Sequence, residues 1–173
     1  IHCGGIDHIS IHHTNEIAQS EAAYGAPLAR VWMHGEFVVI GDQEKMAKST
    51  GNFLTLNALV EKGFSPLAYR YLLLGTHYRS PLAFSFEALQ GAQNALDALY
   101  DGVHEFEKPR IGCAEFEEKF NNALNDDLNI PKALGIMWDL MKSQYPSHAK
   151  ARSLLTFDKV LGLGLARVLG RPL

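Results

Sequence analysis

The chain has 173 residues, 47% of them hydrophobic and 20% charged, and a net charge of −3, the composition of an ordinary globular protein with one domain or two small ones. That charge argues against a general nucleic-acid coat, although local basic patches can still hold a large RNA. The longest apolar runs, such as Tyr71-Leu72-Leu73-Leu74, are far too short to cross a bilayer, and no basic-then-apolar signal opens the chain, so a cytoplasmic protein with no membrane partner is expected.

Residues 1–7 read as the end of a buried strand entering a glycine turn, and with no Met and no preceding structure the chain is expected to start inside a domain. Ser10 is expected to cap a helix over 11–24, stopped by Gly25-Ala26-Pro27. The aromatic and β-branched block 31–40, interrupted by Gly35, suits two short strands or a hairpin. A loop carrying Lys45-Met46-Ala47-Lys48-Ser49 follows.

From Thr55 the pattern turns helical. Thr55 caps 56–62 and Gly63 stops it, Ser65-Pro66 opens a run to about residue 78, and Pro81 breaks that run. Ser85 then caps an amphipathic helix over about 86–107, in which Leu89, Ala92, Leu96, Leu99, Tyr100, Val103 and Phe106 recur at three- and four-residue steps. Three further helices are expected over 114–124, 130–142 and about 147–168, with Pro131 near a helix start. The fold class is α/β followed by all-α.

Two features carry chemistry. Lys45 and Lys48 stand three residues apart in a Ser/Gly-rich loop, where two ammonium groups can neutralise charge building on a triphosphate as its α-phosphate is attacked. The loop lacks the GxxxxGK[ST] pattern, and on the pentapeptide alone a solvated lysine-rich turn competes with this reading. His12 and Glu16 form an i,i+4 pair on one helical face, spaced to reach one metal ion. Together the two features point to an ATP-using ligase. Cys3 and Cys113 have no CxxC spacing and are expected to be unpaired thiols. Asp7, after Gly4-Gly5, could accept from the ribose hydroxyls of ATP or simply form a turn; His2, His13, His34 and Trp32 suit packing or support of the metal shell.

With Gly4-Gly5-Ile6-Asp7 before it and Gly51-Asn52 after it, the lysine loop resembles the class I aminoacyl-tRNA synthetase signature KMSKS, with Ala47 in place of the first serine. The chain is most similar to cysteinyl-tRNA synthetases, through His12-His13-Thr14-Asn15-Glu16-Ile17-Ala18-Gln19-Ser20-Glu21, Trp32-Met33-His34, His77-Tyr78-Arg79-Ser80-Pro81-Leu82 and Asn125-Asp126-Asp127-Leu128-Asn129-Ile130-Pro131, in family order over nearly the whole chain. The resemblance implies the C-terminal part of a Rossmann-like catalytic domain with its lysine loop at 1–54, a helical stem-contact region at 55–112 and a helix bundle of the DALR type at 113–173. It implies catalytic Lys48 and Lys45, an ATP site adding Met46, Ser49 and Asp7, and a zinc ion that senses cysteine through His12 and Glu16, with two further cysteine ligands upstream of Ile1. Partners are then cysteine, ATP with magnesium, and the cysteine tRNA, with a monomer expected for the complete enzyme and no activity for this chain alone.

Where the family runs Gly-Gly-Gly this chain has Cys3-Gly4-Gly5, so Cys3 stands as a glycine-site substitution, with a zinc ligand as the alternative. Arg70, His77, Tyr78 and Arg79 fall where the family approaches the acceptor arm of tRNA; a solvated face is the competing reading. The rival functions are the cysteine ligase of mycothiol synthesis and a non-catalytic helical tRNA-binding or assembly module.

Overall fold

The computed structural model describes residues 1–40, Glu44–Lys45 and 55–171. The chain divides into two compact units: Ile1–Phe53 with Tyr78–Phe84, and Leu54–His77 with Ser85–Leu173.

The first unit opens with a β-α-β crossover. Strand β1 (His2–Gly5) runs through a 3-10 turn (Ile6–His8) into α1 (His12–Tyr24), and the chain returns as β2 (Trp32–Gly35), parallel to β1 with His2 opposite Trp32 and Gly4 opposite His34. A helical crossover is what a parallel pair requires. β1 is half-buried rather than buried, with Cys3 exposed, because β2 is its one strand neighbour among the described residues. Helix α1 begins one residue later than its sequence suggests. Ile11 occupies the N-cap and Ser10 does not cap, because the turn leaving β1 carries through residues 9–11; Thr14 Oγ1 instead donates to the Ile9 carbonyl. Gly25, at φ 64°, ends α1 in the left-handed conformation that glycine adopts without strain.

Block 31–40 gives two strands and no hairpin. β3 (Val38–Ile40) belongs to a second sheet, antiparallel to β4 (Glu44–Lys45) and parallel to β5 (Leu82–Phe84). β5 has no local signal: Pro81 reads as a breaker, and only the pairing of Leu82 with Val38 and Phe84 with Ile40, more than forty residues away, makes this segment a strand.

The second unit is a helical bundle. Thr55, Ser65 and Ser85 cap α2 (Leu56–Glu61), α3 (Pro66–Leu74) and α4 (Phe86–Val103), each side chain accepting a first-turn N–H. α5 (Ala114–Asn125), α6 (Ile130–Lys142) and α7 (Ser147–Leu161) complete it. The core is apolar and continuous. Leu89, Leu96, Leu99 and Val103 of α4 are fully buried, as are Met137 and Leu140 of α6 and Leu154 and Leu161 of α7, while Phe120 stacks on Phe157 at 4.0 Å. Each such side chain contributes roughly 1.5–3 kcal/mol of burial.

Three helices are shorter than their periodicity suggests. α3 ends at Leu74 rather than near 78, α4 at Val103 rather than 107, and α7 at Leu161 rather than 168. For α7 the cause is Gly162 and Gly164, both at positive φ, which turn Leu163 into the core as a loop residue and Leu165 as the first residue of a 3-10 turn (Leu165–Arg167). Asp158 accepts from the Leu163 and Leu165 N–H groups, Tyr100 donates to the Leu163 carbonyl, and Arg70 donates to the Leu161 and Val160 carbonyls.

Between α5 and α6 the expected stop and start are present, but the cap is Asn129, which accepts from Lys132 N–H, and not an acidic side chain. Asp127 and Leu128 both stand at φ 53°, and the Asp127 carbonyl accepts from His77 Nε2 at 2.9 Å. No helix among the described residues is long and apolar enough to cross a membrane. Both cysteines are free thiols, Cys113 buried and Cys3 exposed.

Candidate functional site

The β-α-β crossover concentrates histidine. Successive strand residues face opposite sides, so His2 and Gly4 of β1 share a face with Trp32 and His34 of β2, and the first turns of α1 lie against it. His13, 3% exposed, is the one buried residue of α1, where a helix would ordinarily bury a hydrophobe. Its ring contacts those of His2, His8, His12, His34 and Trp32, at centroid separations from 4.7 to 5.7 Å. Gly4 makes room for this: a Cβ there would stand 2.6 Å from His13 Cε1 and 2.7 Å from His8 Nδ1.

The polar atoms are in contact. His2 Nε2 donates to Glu16 Oε2 at 2.8 Å, His13 Nδ1 and His34 Nε2 share a hydrogen bond of 2.8 Å, and His13 Nε2 lies 3.8 Å from Glu16 Oε2. His12 Nε2 lies 3.7 Å from Glu16 Oε1, with its side chain 61% exposed. One ligand atom from each of His2, His13 and Glu16 falls within 4.8 Å of the others. Burial, then the neighbouring His2 and His34, hold the His13 imidazole below its usual pKa against the opposing pull of Glu16. Burial works to raise Glu16, but the His2 hydrogen bond and the charges of His2, His12 and His13 outweigh it and hold the carboxyl below its usual range. Both directions favour a neutral His13 imidazole and an ionised Glu16 carboxylate, the protonation states a transition metal needs from nitrogen and oxygen donors. This cluster can hold a metal ion.

Sequence spacing finds His12 and Glu16 but leaves His2 and His13 to packing or support of the metal shell. The i,i+3 spacing of His13 and Glu16 is a local signal for the second pair; the approach of His2 depends on β1 lying against α1, which spacing alone does not show. Asp7 lies on the other side of the strand, its Oδ1 2.5 Å from the place a Gly5 Cβ would take. The Lys45 backbone pairs with Val39 in β4, while Met46, Lys48 and Ser49 lie outside the described residues. Arg70 donates to carbonyls of α7 and His77 to the Asp127 carbonyl inside the helical unit, whereas Tyr78 and Arg79 belong to the first unit. The Arg79 guanidinium stands over the Tyr78 ring, 5.3 Å from its centroid, and Nε donates to the Tyr78 hydroxyl at 2.9 Å. With Ile6, Ile9, Trp32 and His34 they line a cleft of about 310 Å³.

The first unit thus carries a His/His/Glu donor set on a β-α-β crossover, and the chain continues into a helical bundle. Residues 1–94 match the family described as tRNA synthetases class I (C) catalytic domain, to which the chain belongs, and residues 119–166 match the DALR domain.

Among individual relatives, the chain is 47% identical over 165 residues to cysteine–tRNA ligase 1 of Burkholderia lata, covering 95% of this chain and 35% of that protein. It is 41% identical over 192 residues to the cysteine–tRNA ligase of Treponema denticola, covering 95% and 39%, and 44% identical over 152 residues to that of Synechococcus elongatus, covering 82% and 32%. The chain thus spans about a third to two fifths of the length of these relatives. A solved LeuRS of Agrobacterium radiobacter K84, in a ternary complex with tRNA and LeuAMS, matches 96% of this chain and 26% of its own with a TM-score of 0.64. At 16% identity that likeness speaks for the fold alone.

Proposed function

We propose that this chain supplies part of a cytoplasmic cysteine–tRNA ligase: its protein activates cysteine with ATP to cysteinyl-adenylate, releasing pyrophosphate, and transfers the cysteinyl group to the 3′-terminal adenosine of the cysteine tRNA. The observation that carries the reading is the histidine and carboxylate donor set on the β1–α1 crossover of a class I (C) family member. Its chemistry fits zinc, which would be held by His12 and Glu16, with His2 and His13 close enough to join or to orient them. Bound zinc supplies a soft acid that takes a thiolate far better than a hydroxyl, which separates cysteine from serine without a second editing site.

The remaining roles belong to this chain's own groups. His2 donates to Glu16 and fixes that carboxylate. Asp7 accepts from the ATP ribose hydroxyls, Lys45 and Lys48 neutralise the charge that develops on the triphosphate with its magnesium, and Met46 and Ser49 complete the loop around it. Residues 1–54 act as the catalytic portion, 55–112 as the stem contact and 113–173 as the supporting bundle.

The test is a graft. This chain replaces the corresponding segment of the Burkholderia lata ligase, and cysteine-dependent ATP–pyrophosphate exchange is measured. Retained exchange that discriminates against serine supports the reading; a folded graft with no exchange, or one that activates serine equally, overturns it.

A further inference from the structure

After His77 the chain leaves the helical unit, contributes Tyr78–Phe84 to the first unit as a short strap, and returns to the helices at Ser85. Groups of the helical unit tie down both ends of that strap. Ser85 caps α4, accepting from the Ala88 N–H at 3.0 Å. At the other end His77 Nε2 donates to the Asp127 carbonyl at 2.9 Å, and an Asp127 carboxylate oxygen lies 3.9 Å from the same nitrogen.

The acceptor sits in a costly backbone. Asp127 and Leu128 both stand at φ 53°, a left-handed pair unfavourable for any residue but glycine, held by bonds from the Leu128 and Asn129 N–H groups to the Leu124 and Ala123 carbonyls. Ending a helix takes one left-handed residue, so the second is strain that termination of α5 does not require. Helix α3 is fixed without His77: Arg70 donates to the Leu161 and Val160 carbonyls, and the Tyr71 hydroxyl accepts from the Trp138 indole N–H at 2.7 Å. What the His77 bond restrains is the chain that follows.

That chain builds the second sheet. The Tyr78 carbonyl accepts from the Glu36 N–H at 2.8 Å, the Leu82 N–H donates to the Phe37 carbonyl at 3.0 Å, and β5 then pairs with β3 while burying Leu82 and Phe84. Val39 stands between Ala83 of β5 and Lys45 of β4, so β3 joins the strap directly to the strand that carries Lys45. A ribbon of β3 and β4 alone would not hold its register, because two short strands need a third to be stable.

We propose that His77 is a positioning residue for the adenylation step: by tying the strap to the Asp127 carbonyl it sets β5, and through β3 the backbone register of Lys45. The proposal rests on the ligase reading and deepens it, since Lys45 is there assigned to the triphosphate.

Two measurements test it. In the graft, His77→Ala should lower kcat for cysteine-dependent pyrophosphate exchange by about tenfold or more with KM for cysteine nearly unchanged, the signature of a misplaced group that does not bind the amino acid. His77→Gln, which keeps a side-chain N–H donor, should recover most of the rate, whereas His77→Phe, which keeps a ring without the donor, should not. If the alanine variant fails to fold, the phenylalanine variant carries the comparison. In the 173-residue chain itself, hydrogen exchange at the Glu36 and Leu82 amides should quicken in His77→Ala while the amides of α3 and α6 keep their protection. Loosening confined to α3 and the 126–129 turn, a rise in KM equal to the fall in kcat, or a glutamine variant as impaired as the alanine would each overturn the proposal. Hydrogen exchange needs no activity, so an inactive unsubstituted graft would sink the ligase reading and leave the His77 tie to be judged separately.

Discussion

Gly4 shows how much of this site depends on a missing side chain. The two rings that crowd its absent Cβ belong to His8 and to the buried His13, and the His13 ring cannot move without disturbing its hydrogen bond to His34. Gly4→Ala is therefore expected to cost about 1–3 kcal/mol, as overpacked sites do, read as a lowered urea midpoint at unchanged slope. It should also weaken metal binding. Gly4→Ala with unaltered stability and zinc affinity would show that the cluster is looser than its contacts imply. Glu16→Gln makes the complementary case: the fold keeps a hydrogen-bonding side chain, while the only carboxylate of the donor set is gone, so zinc affinity measured by competition with a chelating dye should fall at least tenfold. For the intact ligase reading, Lys48→Ala in the graft should lower the adenylation rate far more than cysteine binding; equal loss of both would remove its assigned role at the triphosphate.

At the scale of elements, the helices that announce themselves best are those with local start signals. Thr55, Ser65-Pro66, Ser85 and Asn129 before Ile130-Pro131 mark the starts of α2, α3, α4 and α6, because a cap is decided within four residues. Ends and strands are less legible. Leu161, Leu163 and Leu165 continue an apolar rhythm past a helix that stops at Gly162, and Leu82–Phe84 becomes a strand only through β3. The same distance hides part of the donor set: His12 and Glu16 share one helix, but His2 reaches Glu16 from fourteen residues away. Exposed Gly91 in α4 and Gly135 in α6 have nothing within 4 Å of an added Cβ, so Gly91→Ala and Gly135→Ala should each stabilise the bundle by roughly 0.5–1 kcal/mol. Helix α5 offers a pH test. The Lys119 hydrogen bond and charge hold the Glu115 carboxyl below its usual pKa, so its contribution is present above the ordinary carboxyl range and is lost as pH falls through the lowered value. Glu115→Gln should lower the urea midpoint slightly at neutral pH and leave it nearly unchanged in acid, which flattens that limb of the profile.

The two units differ in what holds them. The bundle buries a continuous set of leucines and phenylalanines, whereas in the first unit the fully or nearly fully buried apolar side chains among the described residues are Leu82 and Phe84, and its crossover is centred on His13. A core of imidazoles and one carboxylate offers little hydrophobic driving force, and its stability should depend on the metal that its donors suit. Hydrogen exchange can separate the two regimes, since local openings report local free energies. Without metal, amides of β1, α1 and β2 should exchange through low-energy openings while those of α4, α6 and α7 persist toward the global limit. Zinc should then slow exchange across residues 2–35, by an amount that grows with its free concentration, and leave the helices of the bundle unchanged. Chelation should reverse the effect. Protection spread evenly over both units, or none in the crossover at saturating zinc, would mean that the histidine cluster is packing and that the sensor lies elsewhere in the protein.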